Sequence, residues 1–296
     1  MSGATAFAVP NVSEGRDSET VTALTAAFTA DATLLDRHTD AIHNRTVLTI
    51  SGSEDQLVAA LQAGAASCME LIDMAAHQGA HPCIGALDVC PVIWLAEPER
   101  AAAIKLARRV ATGLAELGLP VFFYGELAAK PHHEERAFFR RGGFAALSER
   151  MASGELVPDL GPPVAHPSAG AVMVTARPPL AAFNVELDTA DVEVARAIAG
   201  ELRESGGGLE GVRAIGIDLD GVAQVSANVH DPIAVSLGVV IERIRVLAAR
   251  HNARPVAGEL IGLIPQAALS ELPADVPLRG FDPEVHVIEA RLGDRR

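Results

Sequence analysis

An α/β (α+β) fold made of two successive units, each running strand, helix, strand, strand, helix, strand, is predicted from three features of the sequence. The length of 296 residues accommodates two units of about 150 residues each. Runs of β character alternate with apolar positions at helical spacing in both halves, and the proline pair Pro178-Pro179 punctuates the chain between them. Hydrophobic residues make up 49% and aromatic residues only 4%, so the core must be built mainly from Ala, Val, Leu and Ile.

In the first unit, residues 1–177, a strand is expected over 4–9, ended by Pro10, and a helix over 17–29, whose polar start is supplied by Asn11, Ser13 and Glu14. Residues 32–36 and 46–51 are β-rich. Leu57, Val58, Leu61, Ala65, Cys68, Met69, Ile72 and Ala76 recur at three and four, which predicts a helix over 54–76 with one buried stripe. Residues 86–95 are apolar apart from Asp88 and read as a buried strand. A helix over 98–117, a strand over 120–124 and a helical region over 134–151 follow. Residues 157–167 carry four prolines and read as loop.

In the second unit, residues 178–296, strands are expected over 180–187, 212–218, 222–229 and 255–260, with helices over 190–204 and 232–249. Asp220-Gly221 forms the turn of the middle hairpin. Both units then have the ferredoxin-like order.

The 24 Lys and Arg against 38 Asp and Glu give a formal charge of −14, which repels phosphate backbones and anionic bilayers over most of the surface. No nucleic-acid or membrane partner is expected. The N-terminus lacks a basic stretch followed by an apolar core, and no run of eighteen apolar residues occurs, so a cytoplasmic location is expected. Cys68, Cys83 and Cys90 have no paired metal-ligand spacing and suit a reducing compartment.

Four polar segments are candidates for chemistry. The link His77-Gln-Gly-Ala-His81-Pro-Cys-Ile-Gly-Ala-Leu-Asp88 joins an amphipathic helix to a buried strand. His77 and His81 are four apart, yet Gly79 and Pro82 end the helix and Gln78 stands where a zinc protease needs Glu. His77 is read as a capping or carbonyl-bonding residue, and His81 as a candidate general base. The segment 36–46 holds Asp36, His38, Asp40, His43, Asn44 and Arg45 in what reads as a loop between strands, suited to the carboxylate and charged nitrogen of an amino acid. Asn11, Ser13 and Glu14 stand at a strand-to-helix junction that either caps the helix or receives an anion. In the segment 161–170, Gly161 and Gly170 would let a flat ligand approach the main chain. The run Glu134, Glu135, Arg136, Arg140, Arg141 reads as a solvated helix face, and His132, His133, His230, His251 and His286 receive no role.

Taken together, Val9-Pro-Asn-Val-Ser-Glu-Gly-Arg-Asp17, Leu34-Leu-Asp36 with Asn44-Arg-Thr46, and His77-Gln-Gly-Ala-His-Pro with Gly85-Ala-Leu-Asp-Val-Cys-Pro91 resemble the formiminotransferase family. The resemblance continues through Pro120-Val-Phe-Phe-Tyr-Gly-Glu126, Gly161 to Gly170, Ala181-Ala-Phe-Asn-Val185, Ala223-Gln-Val-Ser-Ala-Asn228 and Glu259-Leu-Ile-Gly-Leu-Ile-Pro265. It covers nearly the whole chain, and the cyclodeaminase to which some members are fused is not expected.

The resemblance implies two α/β subdomains whose sheets face each other across a ligand tunnel, in a homodimer. It implies transfer of a formimino group from N-formimino-L-glutamate to tetrahydrofolate, a co-substrate, in histidine breakdown, with no metal. It makes His81 the catalytic acid/base; Asp88 or a loop carboxylate is a candidate to orient the imidazole, the alternative being that Asp88 pairs with backbone N–H groups at the strand end. Asn11, Glu14, Asp36, His38, Asp40, Asn44 and Arg45 are then donor-binding, and Gly161, Pro162, His166, Pro167, Ser168, Ala169 and Gly170 contact the folate. Three departures bear on recognition: His38 replaces an acid, Cys83 a basic residue, and Ala169 an aromatic, whose loss removes a stacking surface. Alternatives are formimino or formyl transfer to another amine, a non-catalytic folate-binding module, and a metal-dependent hydrolase using His38, His43, His77 and His81.

Overall fold

A computed structural model describes residues 6–41, 43–79, 82–219 and 221–292. The chain divides into two compact units, Met1–Arg177 and Pro178–Arg296.

In the first unit, β1 (Ala6–Ala8) and β2 (Asn11–Val12) are two pieces of one strand lying between β4 (Arg45–Gly52) and β5 (Leu87–Ile93), antiparallel to both. The gap at Val9 and Pro10 falls opposite Pro91, so two residues without an amide donor share one interruption, and the Val9 N–H donates to the Pro91 carbonyl. β3 (Thr33–Asp40) pairs antiparallel with β4 as an edge strand. With α1 (Ser18–Phe28) and α2 (Glu54–Leu71) these strands form the βαββαβ core. The sheet continues beyond β5 through two parallel strands, β7 (Val172–Arg177) next to β5 and β6 (Val121–Phe123) outside it. The helix α3 (Arg100–Glu116) crosses over from β5 to β6.

Both faces of this sheet are covered. Phe28, Leu48, Ile50, Leu57, Leu61, Leu106 and Leu114 pack on one side beneath α1 to α3. On the other, Ile84, Val89, Phe122, Phe139, Leu147 and Met173 form a second core, to which α4 (Arg136–Arg140) and α5 (Gly143–Ala152) contribute. β5 is buried along its whole length for this reason. Asp17 caps α1 by accepting from the Glu19 N–H, and Ser53 and Gln56 form a reciprocal capping box on α2.

The second unit has β8 (Ala181–Leu187), α6 (Val192–Leu202), β9 (Val212–Leu219), β10 (Val222–Val229), α7 (Leu237–Ala248) and β11 (Pro255–Ile261). The strand order is β11-β8-β10-β9, every pair antiparallel, which is the ferredoxin-like sheet. Phe183, Val185, Val225 and Val229 face α6 and α7. Two short helices, α8 (Pro283–His286) and α9 (Ile288–Leu292), follow. No helix among the described residues is long and apolar enough to cross a membrane.

Several sequence expectations are corrected. α2 stops at Leu71, because Ile72 turns extended and the Met74 N–H is taken by the Ser168 carbonyl. The segment 36–40 is strand: Asp36 to Asp40 pair with Thr49 to Arg45 of β4, leaving only a short turn before Asn44. β7 is a strand additional to those expected from the sequence, and the helical region 134–151 is broken at Gly142, which has φ +77°. Ala4, at the start of the expected first strand, and Asp220 lie outside the described residues.

Candidate functional site

The polar segments of the first unit meet where β2 runs into α1, where β3 turns into β4, and where the link after α2 enters β5. Their close approach depends on Gly15 and Gly79. A Cβ on Gly15 would strike the Asp40 carbonyl and the Arg45 backbone, and one on Gly79 would strike the His43 carbonyl.

Asn44 is the centre of this junction. It is buried and holds φ +49°, a left-handed conformation that Asn tolerates better than most residues. Its Oδ1 accepts from the Gly15 N–H at 2.9 Å, while its Nδ2 donates to the Gln78 carbonyl at 3.0 Å and lies 3.3 Å from His77 Nδ1. Because the oxygen is committed to Gly15, the amide hydrogens face His77, whose Nδ1 is the acceptor and whose proton sits on Nε2. Burial holds the His77 pKa below its usual value, so the ring is neutral at pH 7. Its Nε2 is buried and meets no partner with hydrogen-bond geometry among the described residues.

Asn11, Ser13, Asn44, Arg45, His77, Cys83 and Asp88, with Val12 and His43, line one narrow pocket with a free volume of about 10 Å³. Ser13 Oγ donates to the Gly85 carbonyl at 2.7 Å, and Asn11 Nδ2 donates to the Val9 carbonyl at 2.8 Å. Asp88 is buried: Oδ1 accepts from the Ile84 N–H at 2.7 Å, and Oδ2 accepts from Arg140 Nη2 at 2.5 Å and Nε at 3.1 Å. Burial brings the Arg45 pKa down to about 10, helped by Arg140 and Arg136 and opposed by Asp88 and Asp40. Arg45 stays charged at neutral pH. Burial raises the Cys83 thiol above its usual range, with Asp88 adding to the effect.

The remaining donor-segment candidates are placed differently. Glu14 Oε1 accepts from the N–H groups of Gly15, Arg16 and Asp17 at 2.8, 2.7 and 3.0 Å, so this carboxylate caps its own turn. Asp40 Oδ2 is 2.6 Å from His43 Nδ1, and Oδ1 accepts from the His43 N–H. Asp36 and His38 lie along β3 and outside the pocket lining, half-buried opposite Thr49 and Val47. His81 lies outside the described residues.

The segment 161–170 leads into β7. His166 and Gly170 exchange backbone hydrogen bonds at 2.9 Å in both directions, and His166 Nδ1 accepts from the Ala169 N–H at 3.0 Å. The Ser168 carbonyl accepts from Met74 and the Ala169 carbonyl from Ala86, which docks the segment beside the link after α2. Two readings are corrected here. The faces of Gly161 and Gly170 are filled by the Leu119 and Ile84 carbonyl oxygens, so these glycines, with φ of +84° and +70°, admit the chain's own backbone rather than a flat ligand. Ala169 is 1% exposed, so a substitution there changes packing and removes no stacking surface. Pro162 and Ser168 are half-buried, and Pro167 is exposed.

The arginines at 136 and 140 are a further correction. Their helix is not simply a solvated face: Arg140 is paired to buried Asp88, and the Arg136 guanidinium stands 5.8 Å over the Tyr124 ring. Their spacing of four, beside Phe138 and Phe139, was the signal in the sequence that this face is partly buried. Among the described residues, which do not include His81, no group of three or more His, Cys, Asp or Glu is arranged to hold a metal ion.

Comparison with known proteins places this geometry in a family. The formiminotransferase domain, N-terminal subdomain, matches residues 5–177, and the formiminotransferase domain matches residues 182–274. A glutamate formimidoyltransferase of Streptococcus pyogenes is 36% identical, over 96% of this chain and 97% of its own length. One from Thermoplasma acidophilum is 35% identical, over 96% of each chain. The formimidoyltransferase-cyclodeaminase of Mus musculus is 38% identical over 90% of this chain but only 51% of its own length. With both halves matched in order and relatives aligned almost end to end, the chain belongs to the formiminotransferase family.

Proposed function

We propose that the chain is a glutamate formimidoyltransferase, moving the formimino group of N-formimino-L-glutamate to tetrahydrofolate and releasing L-glutamate and 5-formiminotetrahydrofolate. The observation that carries this reading is the near full-length similarity to two proteins of that name, together with a pocket formed by the segments that the family resemblance singles out. Tetrahydrofolate is a co-substrate here. The family's chemistry is one-carbon transfer, which asks for positioning of two substrates and one proton shuttle.

In this reading His81, next to Pro82 and pocket-lining Cys83, is the acid/base. The folate nitrogen adds to the formimino carbon and gives its proton to the imidazole. The carbon–nitrogen bond to glutamate then breaks, and the imidazole returns the proton to the departing amine. In the same reading Asn44 holds the donor turn against the link that bears His81, and Arg45 pairs with a substrate carboxylate. Ser168 and Ala169, tied by their carbonyls to Met74 and Ala86, bring the folate-contacting segment to the same link. The same reading makes the enzyme a cytoplasmic homodimer.

The direct test mixes the protein with tetrahydrofolate and formiminoglutamate and follows the 5-formimino product by absorbance. The His81→Ala variant should lose about 10²- to 10⁴-fold in rate while keeping its fold. An undiminished rate in a folded variant overturns the assignment, and no product from the unaltered protein overturns the choice of substrates.

A further inference from the structure

Next to the reaction pocket, and separated from it by the Asp88–Arg140 pair, lies a second and larger one. It is open, has a free volume of about 690 Å³, and is lined by Arg136, Arg140 and Arg141 together with Pro82, Glu135 and Gly142. Pro82, which lines this cavity, is the residue after His81 in the sequence.

The charge arrangement is unusual for a chain of net charge −14. Arg140 has Asp88, and Arg141 has Glu155. Glu135, a carboxylate that lines the same cavity, is itself engaged. Arg136 differs: half-buried against Tyr124, it has no carboxylate partner among the described residues, and it stands close enough to Arg45 and Arg177 to depress the pKa of both. Like charges gathered in partly desolvated surroundings cost stability. A rigid guanidinium fork facing an open cavity is suited to receive a carboxylate bidentately.

We infer that Arg136, with Arg140 and Arg141 beside it, is a carboxylate-anchoring subsite for a glutamyl group of one of the two substrates. The assignment rests on the formimidoyltransferase reading for the identity of that group. Two sources share the chemistry: the two carboxylates of the formiminoglutamate donor, and the glutamyl tail of the folate. Arg136 touches substrate in this proposal and sets affinity; it moves no proton.

The test is steady-state kinetics of Arg136→Gln with formiminoglutamate and with tetrahydrofolate carrying one or several γ-linked glutamates. KM for one glutamyl-bearing substrate should rise about tenfold or more, with kcat nearly unchanged. Arg141→Gln, at an exposed position, should move the same KM in the same direction. A rise for formiminoglutamate assigns the subsite to the donor; a rise for folate that erases the advantage of added glutamates assigns it to the tail. Binding of γ-linked triglutamate, measured by calorimetry on unaltered protein and on Arg136→Gln, gives a readout independent of turnover. If the unaltered protein transfers nothing yet binds triglutamate through Arg136, the substrate reading fails and the subsite stands. Unchanged KM values and unchanged triglutamate binding in folded variants overturn it, as does a fall in kcat alone.

Discussion

At the scale of single residues, the site depends on one side chain that composition could not have singled out. Asn44 is one of seven donor-segment candidates, and it bridges the turn at Gly15, the turn after β3 and the link at Gln78. Its backbone and its amide contribute separately. Asn44→Ala should lose about 2–3 kcal/mol of stability from the broken hydrogen bonds, plus about 1 kcal/mol for placing Ala at φ +49°. Asn44→Gly keeps the conformation and should be the milder change in a urea titration; equal losses would mean that the backbone carries no strain there. The residue types were legible because chemistry needs them, but the partition among them was not. Glu14 is spent on three amides and Asp40 is bonded to His43, while Asp36 and His38 remain along an edge strand outside the lining. The Glu14 and Asp40 contacts are local, whereas the role of Asn44 depends on hydrogen bonds across 29 and 34 residues, of which local pattern carries no trace.

At the scale of elements, helices and buried strands were well marked because their apolar periods are strong. The failures have specific causes. β3 is an edge strand in which exposed and half-buried positions alternate, so its polar end looks like loop. α2 keeps its apolar spacing past Leu71, but Met74 is captured by a carbonyl from residue 168. β7 is apolar enough to be a strand but lies between a proline-rich loop and a proline pair, where punctuation masked it. The short helix α4 is fixed to β5 by the Arg140–Asp88 pair, whose side chains are 11% and 5% exposed. Removing one member leaves an uncompensated buried charge. Asp88→Ala should cost about 3–5 kcal/mol, and adding Arg140→Met should restore part of that loss. A double-mutant cycle measures the coupling, and additive losses would show that the helix is held by its apolar contacts alone.

At the scale of the whole molecule, the charge balance and the titration of buried histidines set the working conditions. A local group of arginines in an acidic chain, with Arg45, Arg136 and Arg140 in the first unit, gives anionic substrates one attractive region. His133 is buried against Phe138 and Phe139, and burial, with repulsion from His132 and Lys130, holds its pKa below the usual 6.5; His77 is lowered mainly by burial as well. The unfolded chain therefore takes up protons near pH 6.5 that the folded chain refuses, and stability falls as pH drops below that value. Melting curves from pH 7 to 5 should show this loss, and His133→Phe should flatten it; parallel curves for the two proteins would assign the loss to other groups. The order of strands has a kinetic consequence. β7 inserts between β5 and β6 although it follows both in the chain, so closing that sheet requires a loop of about 80 residues. The segment 161–170, anchored to β5 through Ala86 and to the link after α2 through Met74, takes its place only when that last strand docks. The first unit therefore gains the proposed folate contacts only once that strand has docked, and the second unit's sheet likewise closes only when β11 returns across residues 188–254 to pair with β8.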